Sequence, residues 1–156
     1  MLGIIALATI APTAVSPTTF GSGHFIENKG QWDSRARFLL KQPGVNYWVT
    51  DSGTVIDFHR EQRELVEDAE GTRRSVRHRI GDVVSVNFVG ASKAVRPIGV
   101  SKQEAVSNFI TPTAEINGVA SCAEARLVNV VPGVTARYYM DQGAPRYDVI
   151  LHLHQR

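Results

Sequence analysis

The sequence predicts a nearly all-β domain, in which mainly antiparallel strands form a β-sandwich or a strongly curved sheet. Most of the chain after residue 24 alternates apolar and polar residues with a period of two, which is typical of strands with one buried face. Short turn signals such as Pro43-Gly44 and Pro132-Gly133 separate the alternating runs. Towards the end of the chain, two apolar faces can be matched across a hairpin, which indicates antiparallel pairing.

The first part of the domain predicts an antiparallel meander. Residues 36–40 form a short apolar strand, and residues 45–50 and 54–59 follow after turns at 43–44 and 51–53. In the middle strand one face carries Val45, Tyr47 and Val49, and the other carries Asn46, Trp48 and Thr50.

Residues 60–80 form the one charged region of the predicted fold. Eleven of them are Arg, Glu or Asp, and no apolar stripe runs through them. The pattern indicates an exposed loop or a long hairpin end, with a helical turn around residues 61–69 as an alternative. The basic stretch 73–79 has the composition of a site for phosphates, anionic glycans or a lipid surface. Five acidic residues precede it, which favours a solvated, self-paired segment.

Weaker patterns predict the later strands. Residues 82–90 alternate most regularly, and residues 96–100, 107–110 and 126–131 predict shorter strands. Ile-Asn-Gly at residues 116–118 predicts a turn.

The last part of the chain predicts a type II turn followed by a hairpin. Residues 132–133 are the Pro-Gly pair that such a turn favours at its centre. The hairpin arms are residues 134–140 and 147–153, whose apolar faces match when Asp141 is paired with Arg146. This register leaves the four residues between them as the loop.

Length and composition predict one globular domain of an exported protein. The chain has 156 residues, and we divide it into a signal peptide (1–19), a linker (20–24) and a single β-rich domain (25–156). The first segment is uncharged, apolar and too short to span a bilayer as a helix; a first strand or a disordered start is the alternative. A net charge of +2 argues against nucleic acid as a partner, and the single cysteine, Cys122, excludes an intramolecular disulfide.

The sequence contains no catalytic motif that we recognise, so we expect a protein that is not an enzyme and has no cofactor. Nucleophile-elbow, phosphate-loop and metal-binding motifs are all missing. His152 and His154 share a strand face with Asp148, but the carboxylate lies roughly 13 Å further along the strand. No metal site is therefore predicted. A hydrolase remains as an alternative that requires a carboxylate pair or a triad gathered in a pocket.

The segment after residue 24 holds the candidate binding residues Glu27, Asn28, Gln31 and Trp32. Planar polar groups beside an indole ring suit a sugar. The structural alternative assigns Glu27 and Gln31 to hydrogen bonds within a turn, and Trp32 to the end of the sheet. In that alternative the preceding Phe25 and Ile26 enter the core, and Gly30 supplies the backbone geometry of the turn. A wider version of the sugar hypothesis uses Trp32, Trp48 and Tyr139 as a stacking platform.

Five blocks of the sequence together resemble a known family. They are FIENKGQWDSRARFLL (25–40), GVNYWVTDSGTVIDF (44–58), VVSVNFVGAS (83–92), SNFI (107–110) and RLVNVVPGVTARYYMDQGAPRYDVIL (126–151). The family is the N-terminal domain of bacterial secreted and cell-surface proteins that often precedes SBBP β-propeller repeats or immunoglobulin-like domains. The resemblance implies a non-enzymatic structural or interaction module, with neighbouring domains of a larger surface protein as partners and adhesion as a role. It also implies a domain truncated at its C-terminal end, and it assigns no activity to any residue.

Overall fold

The computed structural model describes residues 23–67, 69–111 and 113–152, and this part of the protein is antiparallel and all-β, without a helix. The predicted fold class is confirmed: a strongly curled sheet, shaped like half a barrel, forms. The strands in chain order are β1 (Phe25–Glu27), β2 (Ala36–Gln42), β3 (Val45–Thr50), β4 (Gly53–Glu67), β5 (Arg73–Asn87), β6 (Ile98–Ile110), β7 (Glu115–Val131), β8 (Val134–Asp141) and β9 (Ala144–Leu151).

Hydrogen bonding between strands follows the order β5-β4-β3-β2-β1-β7-β8-β9, and β6 pairs with β7 outside this path. The long β7 therefore pairs with β1, β6 and β8. The rings of Tyr47 on β3 and Tyr138 on β8 lie 6.1 Å apart between centroids, although β2, β1 and β7 separate their strands. The sheet must curl for these rings to meet. We call the side that carries them the concave face and the opposite side the convex face.

The hydrophobic core fills the concave face. Phe25, Leu40 and Tyr47 form a row across β1, β2 and β3, because Phe25 is paired with Leu40 and Leu40 with Tyr47. Strand alternation brings every second side chain to this face and removes its apolar surface from water. The buried cluster consists of Phe25, Phe38, Leu40, Tyr47, Val49, Cys122, Ala125, Leu127, Val130, Ala136 and Tyr138.

The connection from β5 to β6 crosses the concave side at one end. The amide of Ser92 donates to the carbonyl of Val130, with 2.9 Å between nitrogen and oxygen. Phe88, Ala91 and Val95 pack against the core from this connection. The connection therefore closes one end of the half-barrel.

The predicted meander is confirmed in β2, β3 and the first part of β4. The first turn falls at the predicted Pro43-Gly44, and Gly44 has a φ of 73° that favours glycine. The second turn, predicted at 51–53, is limited to Asp51-Ser52, because Gly53 begins β4. Tyr47 and Val49 are buried in the core as the alternation predicted.

The prediction of a charged loop or hairpin end at residues 60–80 is resolved as a hairpin, and the alternative of a helical turn at 61–69 is wrong. β4 and β5 are each 15 residues long and pair from Gly53 opposite Asn87 to Glu67 opposite Arg73. The antiparallel ladder supplies hydrogen-bond partners for the backbone N–H and C=O groups along this length, so a helix is not needed to satisfy them. β3 ends its pairing with β4 at Phe58, so the hairpin beyond it, which we call the arm (residues 59–67 and 73–81), projects from the sheet.

Two predictions about β6 and β7 are wrong. The predicted strands at 96–100 and 107–110 are parts of one strand that begins at Ile98, and Ile-Asn-Gly at 116–118 lies inside β7 rather than in a turn. Gly118 has a φ of 65° at a shift in register between Ser107 and Phe109. A β-bulge with a glycine in the left-handed region uses the same backbone conformation as many turns. The Asn-Gly signal therefore marks a bulge here instead of a turn.

The final hairpin forms on the predicted faces but in a register shifted by two residues. Asp141 pairs with Ala144 rather than with Arg146, which lies opposite Tyr139. Gln142 and Gly143 have φ values of 48° and 80°, and two consecutive positive values make the tight two-residue turn whose twist matches a hairpin. A register shift of two residues leaves each side chain on the same face of the sheet, so the apolar faces of the two strands still lie on the same side.

Several predicted features lie outside the described residues. These are the signal peptide (1–19), residues 20–22 of the linker, Leu153 of the last hairpin and His154. None of the described segments forms a helix long and apolar enough to cross a membrane.

Candidate functional site

Asn28, one of the predicted binding residues, organises the loop between β1 and β2. Its side-chain nitrogen donates to the carbonyls of Asp33 at 2.9 Å and Ala36 at 2.8 Å. Its side-chain oxygen accepts from the amides of Gly30 at 3.0 Å and Trp32 at 3.3 Å. The Asn28 amide group is thus fully engaged with the backbone of its own loop.

Gln31 has a similar role, and Glu27 lies on a different face from the aromatic residues. The Gln31 nitrogen donates to the carbonyl of Glu27 at 2.6 Å, and the Gln31 oxygen accepts from the amide of Lys29 at 2.7 Å. Glu27 is opposite Phe38, a concave-face residue. The structure therefore does not bring the four predicted residues around one space; among them, Trp32 alone lines a groove.

Trp32 belongs to an aromatic cluster on the convex face. Its ring meets Trp48 edge to face at 5.5 Å between centroids, and Phe109 of β6 at 5.4 Å. Ile26 lies beneath them, paired with Leu39, so the expectation that Ile26 enters the core with Phe25 is wrong. Consecutive strand residues point to opposite faces, and Phe25 takes the concave one.

A groove of about 520 Å³ opens beside this cluster. It combines an apolar floor with polar residues from β3, β4 and β5, and we call it the tryptophan groove. Its lining residues are Ile26, Trp32, Leu39, Lys41, Asn46, Trp48, His59, Glu61, Arg79 and Phe109.

Asn46 is the unusual polar residue of the groove. It is 7% exposed, and its side-chain nitrogen donates to Asp57 Oδ2 at 3.1 Å. Its side-chain oxygen is buried and has no hydrogen-bond partner among the described residues. Leaving a buried acceptor unsatisfied costs about 1–3 kcal/mol, and this oxygen has almost no surface open to solvent, so a ligand donor reaches it only if the Asn46 side chain shifts.

The charges around the groove are nearly balanced. Arg79 donates to Asp57 Oδ2 at 2.5 Å, and His59 Nδ1 lies 3.8 Å from Asp57 Oδ1. Lys41 and Glu61 add one charge of each sign to the lining. A site of this kind offers donors, acceptors and an aromatic wall without a strong field, which suits a neutral polar ring better than a bare ion.

A second depression of about 590 Å³ lies on the other side of Trp48. Within it, Arg35 holds the pKa of Asp33 at about 2 through a side-chain hydrogen bond. Asp51 is paired with Arg37 at 2.8 Å. Trp48 therefore forms a wall shared by two depressions. In the second one, the charged side chains Asp33, Arg35 and Asp51 are already in ion pairs.

Tyr139 is separate from both depressions. The Arg137 guanidinium lies 4.3 Å from the Tyr139 ring centroid, and the Tyr139 hydroxyl donates to Asp148 Oδ1 at 3.2 Å. Glu124 binds Arg137 and Arg126 beside it, and the hydrogen bond from Arg137 lowers the pKa of Glu124 below its usual range. Trp32 and Trp48 thus share a surface, whereas Tyr139 belongs to a charged network on β7, β8 and β9.

The other chemically reactive residues are dispersed. In the part of the chain that the structure describes, no three His, Cys, Asp or Glu residues lie close enough to hold a metal ion. His152 Nε2 is 2.9 Å from Thr135 Oγ1. Burial raises the pKa of the Cys122 thiol, which lies in the core between Phe25 and Lys102 in the strand register.

The sequence identified some groove residues and missed others. Alternation in β3 put Asn46 and Trp48 on one face, which is the face that forms the groove. Phe109 could not be found, because the bulged pairing of β6 with β7 decides where it lies. Arg79 was visible only as part of a basic stretch, since its position depends on the long hairpin.

The fold and the groove define the class of protein: a curled, single-sheet β domain with an aromatic groove on its convex face. The chain belongs to the family described as a domain of unknown function, DUF7948, whose model matches residues 25–156. No curated protein and no solved structure matches the chain.

Proposed function

We propose that the protein is a non-enzymatic interaction module at the N-terminus of an exported or cell-surface protein. Its partner would be a neighbouring domain of the same larger protein, docked into the open side of the half-barrel, and its role there is structural or adhesive. The observation that carries this proposal is a band of exposed apolar side chains along that opening.

This open concave face is made by the two ends of the sheet. Val84 on β5 is opposite Ile56, and Val149 on β9 is opposite Ala136, which places both on the side of the core. The exposed fractions in this band run from 42% to 70%, for Phe58, Val84, Val86, Tyr147, Val149 and Leu151. Contiguous apolar surface of this kind marks interaction sites on soluble proteins.

The free strand edges support the same proposal. β5 and β9 are the last strands at the two ends of the hydrogen-bonded path, and in the described residues each leaves one edge unpaired. An unpaired edge beside exposed apolar side chains can accept a strand from a partner, through main-chain hydrogen bonds and alternate side-chain contacts.

A negative charge placed on the open concave face should weaken its binding to an anionic dye that recognises apolar surface. We expect Leu151→Glu to lower the fluorescence enhancement of 8-anilinonaphthalene sulfonate by about half, because it puts a carboxylate among apolar side chains and repels the sulfonate of the dye. The control is Val83→Glu, which adds the same charge at a residue 64% exposed on the convex face of β5. Equal losses in both variants, or no dye binding by the native protein, would contradict docking at this face.

A second candidate function is carbohydrate binding in the tryptophan groove. Trp32 and Trp48 supply aromatic surface, and Glu61 supplies an acceptor for a hydroxyl. Sugars combine an apolar ring face with a periphery of hydroxyl groups, which this combination matches. Tyr139 does not contribute to this version of the proposal, because Arg137 covers its ring.

Tryptophan fluorescence should report glycan binding directly. We expect titration with a ligand glycan to shift the emission of the native protein, and Trp48→Ala to lower affinity by at least about fivefold, since stacking contributes roughly 1 kcal/mol or more. Tyr139→Ala is the matched control and should leave the affinity unchanged. A broad glycan panel that produces no spectral response would remove this candidate.

A further inference from the structure

We propose that the tryptophan groove and the adjoining arginine pair Arg63–Arg77 bind an acidic polysaccharide, one that carries carboxylate or sulfate groups. The inference rests on the carbohydrate proposal and specifies its ligand. The sugar ring would lie in the groove against Trp48, and the acidic group of a neighbouring unit would lie between the two guanidinium groups.

The arm extends the groove along the convex face. Glu61 and Arg79 line the groove and are opposite each other in the β4–β5 register. The next pair on the same face is Arg63 opposite Arg77. Two residues along a strand span about 7 Å, so the arginine pair lies one short step beyond the end of the groove.

The arginine pair is an electrostatic exception within the arm. Like charges directly opposite each other destabilise a strand pair. Some other residues of the arm are paired with an acidic partner, such as Arg73 with Glu67 at 2.9 Å and His78 with Glu64 at 3.1 Å. The side chains of Arg63 and Arg77 make no hydrogen bond or ion pair with the described residues. An anion between them would replace this repulsion with charge-assisted hydrogen bonds, for which guanidinium and carboxylate or sulfate have matching geometry.

The groove itself restricts where the negative charge of the ligand can lie. Its lining includes the carboxylate of Glu61, and Asp57 lies directly behind Asn46 and Arg79. These carboxylates oppose an anion on the groove floor, whereas the hydroxyl groups of a neutral ring can donate to Glu61. A ligand with a neutral ring in the groove and an acidic group one step away fits both parts.

An oligonucleotide is the alternative ligand with rings and anionic groups. It repeats a phosphate at every unit and therefore needs a track of cations. Among the described residues of the convex face, the Arg63–Arg77 pair lies next to a groove with carboxylates and does not form part of a longer row of cations, and the whole chain has a net charge of only +2. These charges favour the polysaccharide.

The test compares four probes on the full chain: a neutral glucan oligosaccharide, an oligogalacturonate, a sulfated heparin-derived oligosaccharide and an oligothymidylate. Affinities come from tryptophan fluorescence and calorimetry at low and high salt. We expect at least one acidic glycan to bind about tenfold or more tighter than the neutral one, with the difference reduced by salt. Arg63→Gln/Arg77→Gln should remove this difference and leave the neutral glycan unaffected.

The control variant is Arg60→Gln/Arg74→Gln, which removes the same charge from exposed, unpaired arginines of the same arm. Arg60 and Arg74 lie on the concave side, and they are not opposite each other. This variant should keep the preference for acidic glycan. All variants are exposed substitutions, and circular dichroism checks their fold.

The outcomes separate the two levels of the proposal. Equal affinity for neutral and acidic glycans overturns the acidic-ligand inference and leaves carbohydrate binding intact. No response to any glycan overturns both. Tighter binding of the oligonucleotide, or an equal loss in the control variant, also overturns the inference, because a general basic surface would then explain the binding.

Discussion

Phe25→Ala is expected to lower the free energy of unfolding by about 3–5 kcal/mol, among the largest effects of any single substitution in this protein. Phe25 is fully buried and lies between Leu40 of β2 and Cys122 of β7 in the strand register. The three-residue β1 joins the β2–β5 half of the sheet to β7, β8 and β9. A cavity at Phe25 therefore weakens the core at the point where the two halves meet.

Phe58→Ala is the matched control, because it removes the same atoms from a ring that is 44% exposed on the open concave face. Phe58→Ala should lower the free energy of unfolding by less than about 1.5 kcal/mol, since much of the apolar surface of this ring is already in water. Urea unfolding followed by circular dichroism measures both variants. Similar costs for the two would mean that the core is not centred on β1.

The sequence was most informative where the two faces of a strand differ strongly. In β3, Tyr47 and Val49 are buried in the core, while Asn46 and Trp48 line the convex groove. Each side chain has one favourable side, so alternation alone fixes the faces. The meander and the all-β class followed from this contrast.

The arm could not be predicted with the same certainty, because both of its faces are exposed. Residues such as Glu64 and Arg77 are exposed, and most of their neighbours on both faces are too. The sequence there shows no alternation of apolar and polar residues that would mark a strand. The continuous ladder from Gly53 to Glu67 depends instead on backbone pairing with β5. Hydrophobic periodicity reflects which face of a strand is buried, so it cannot predict a strand whose two faces are both exposed.

The candidate site shows a related limit. The Asn28 and Gln31 amides looked like ligand groups, but the loop backbone uses their hydrogen-bonding capacity. The groove residues Trp48, Arg79 and Phe109 come from three strands that are distant in the sequence. Their proximity arises from the curl of the sheet and the irregular pairing of β6 with β7, neither of which can be read from a local pattern.

The protein is expected to lose stability steeply in alkaline solution. Tyr47 and Tyr138 are 5% and 2% exposed, and burial raises the pKa of both phenols. For Tyr138, the nearby rings of Tyr47 and Tyr147 raise the pKa further. The core thus holds two phenols whose ionised form is disfavoured by burial.

Whether the unfolding free energy rises or falls with pH depends on which state, folded or unfolded, releases protons first. Below the usual tyrosine pKa of about 10, the folded and unfolded chains are both protonated at these rings, so the stabilising effect is complete. Above about 10 the unfolded chain releases the protons and the folded chain retains them, so the unfolding free energy falls as pH rises towards the raised folded pKa values. Urea unfolding at a series of alkaline pH values, with the ultraviolet absorbance of tyrosinate, measures this loss.

Tyr47→Phe/Tyr138→Phe should flatten the alkaline decline, because the double variant keeps the rings and removes the two ionisable groups. Tyr147→Phe is the control: it removes a hydroxyl from a ring that is 54% exposed on the same face and leaves the buried pair in place. This control should keep the decline of the native protein. If the double variant declines as steeply as the native protein, the two phenols are accessible to solvent, and the half-barrel is more open around Tyr47 and Tyr138 than their burial indicates.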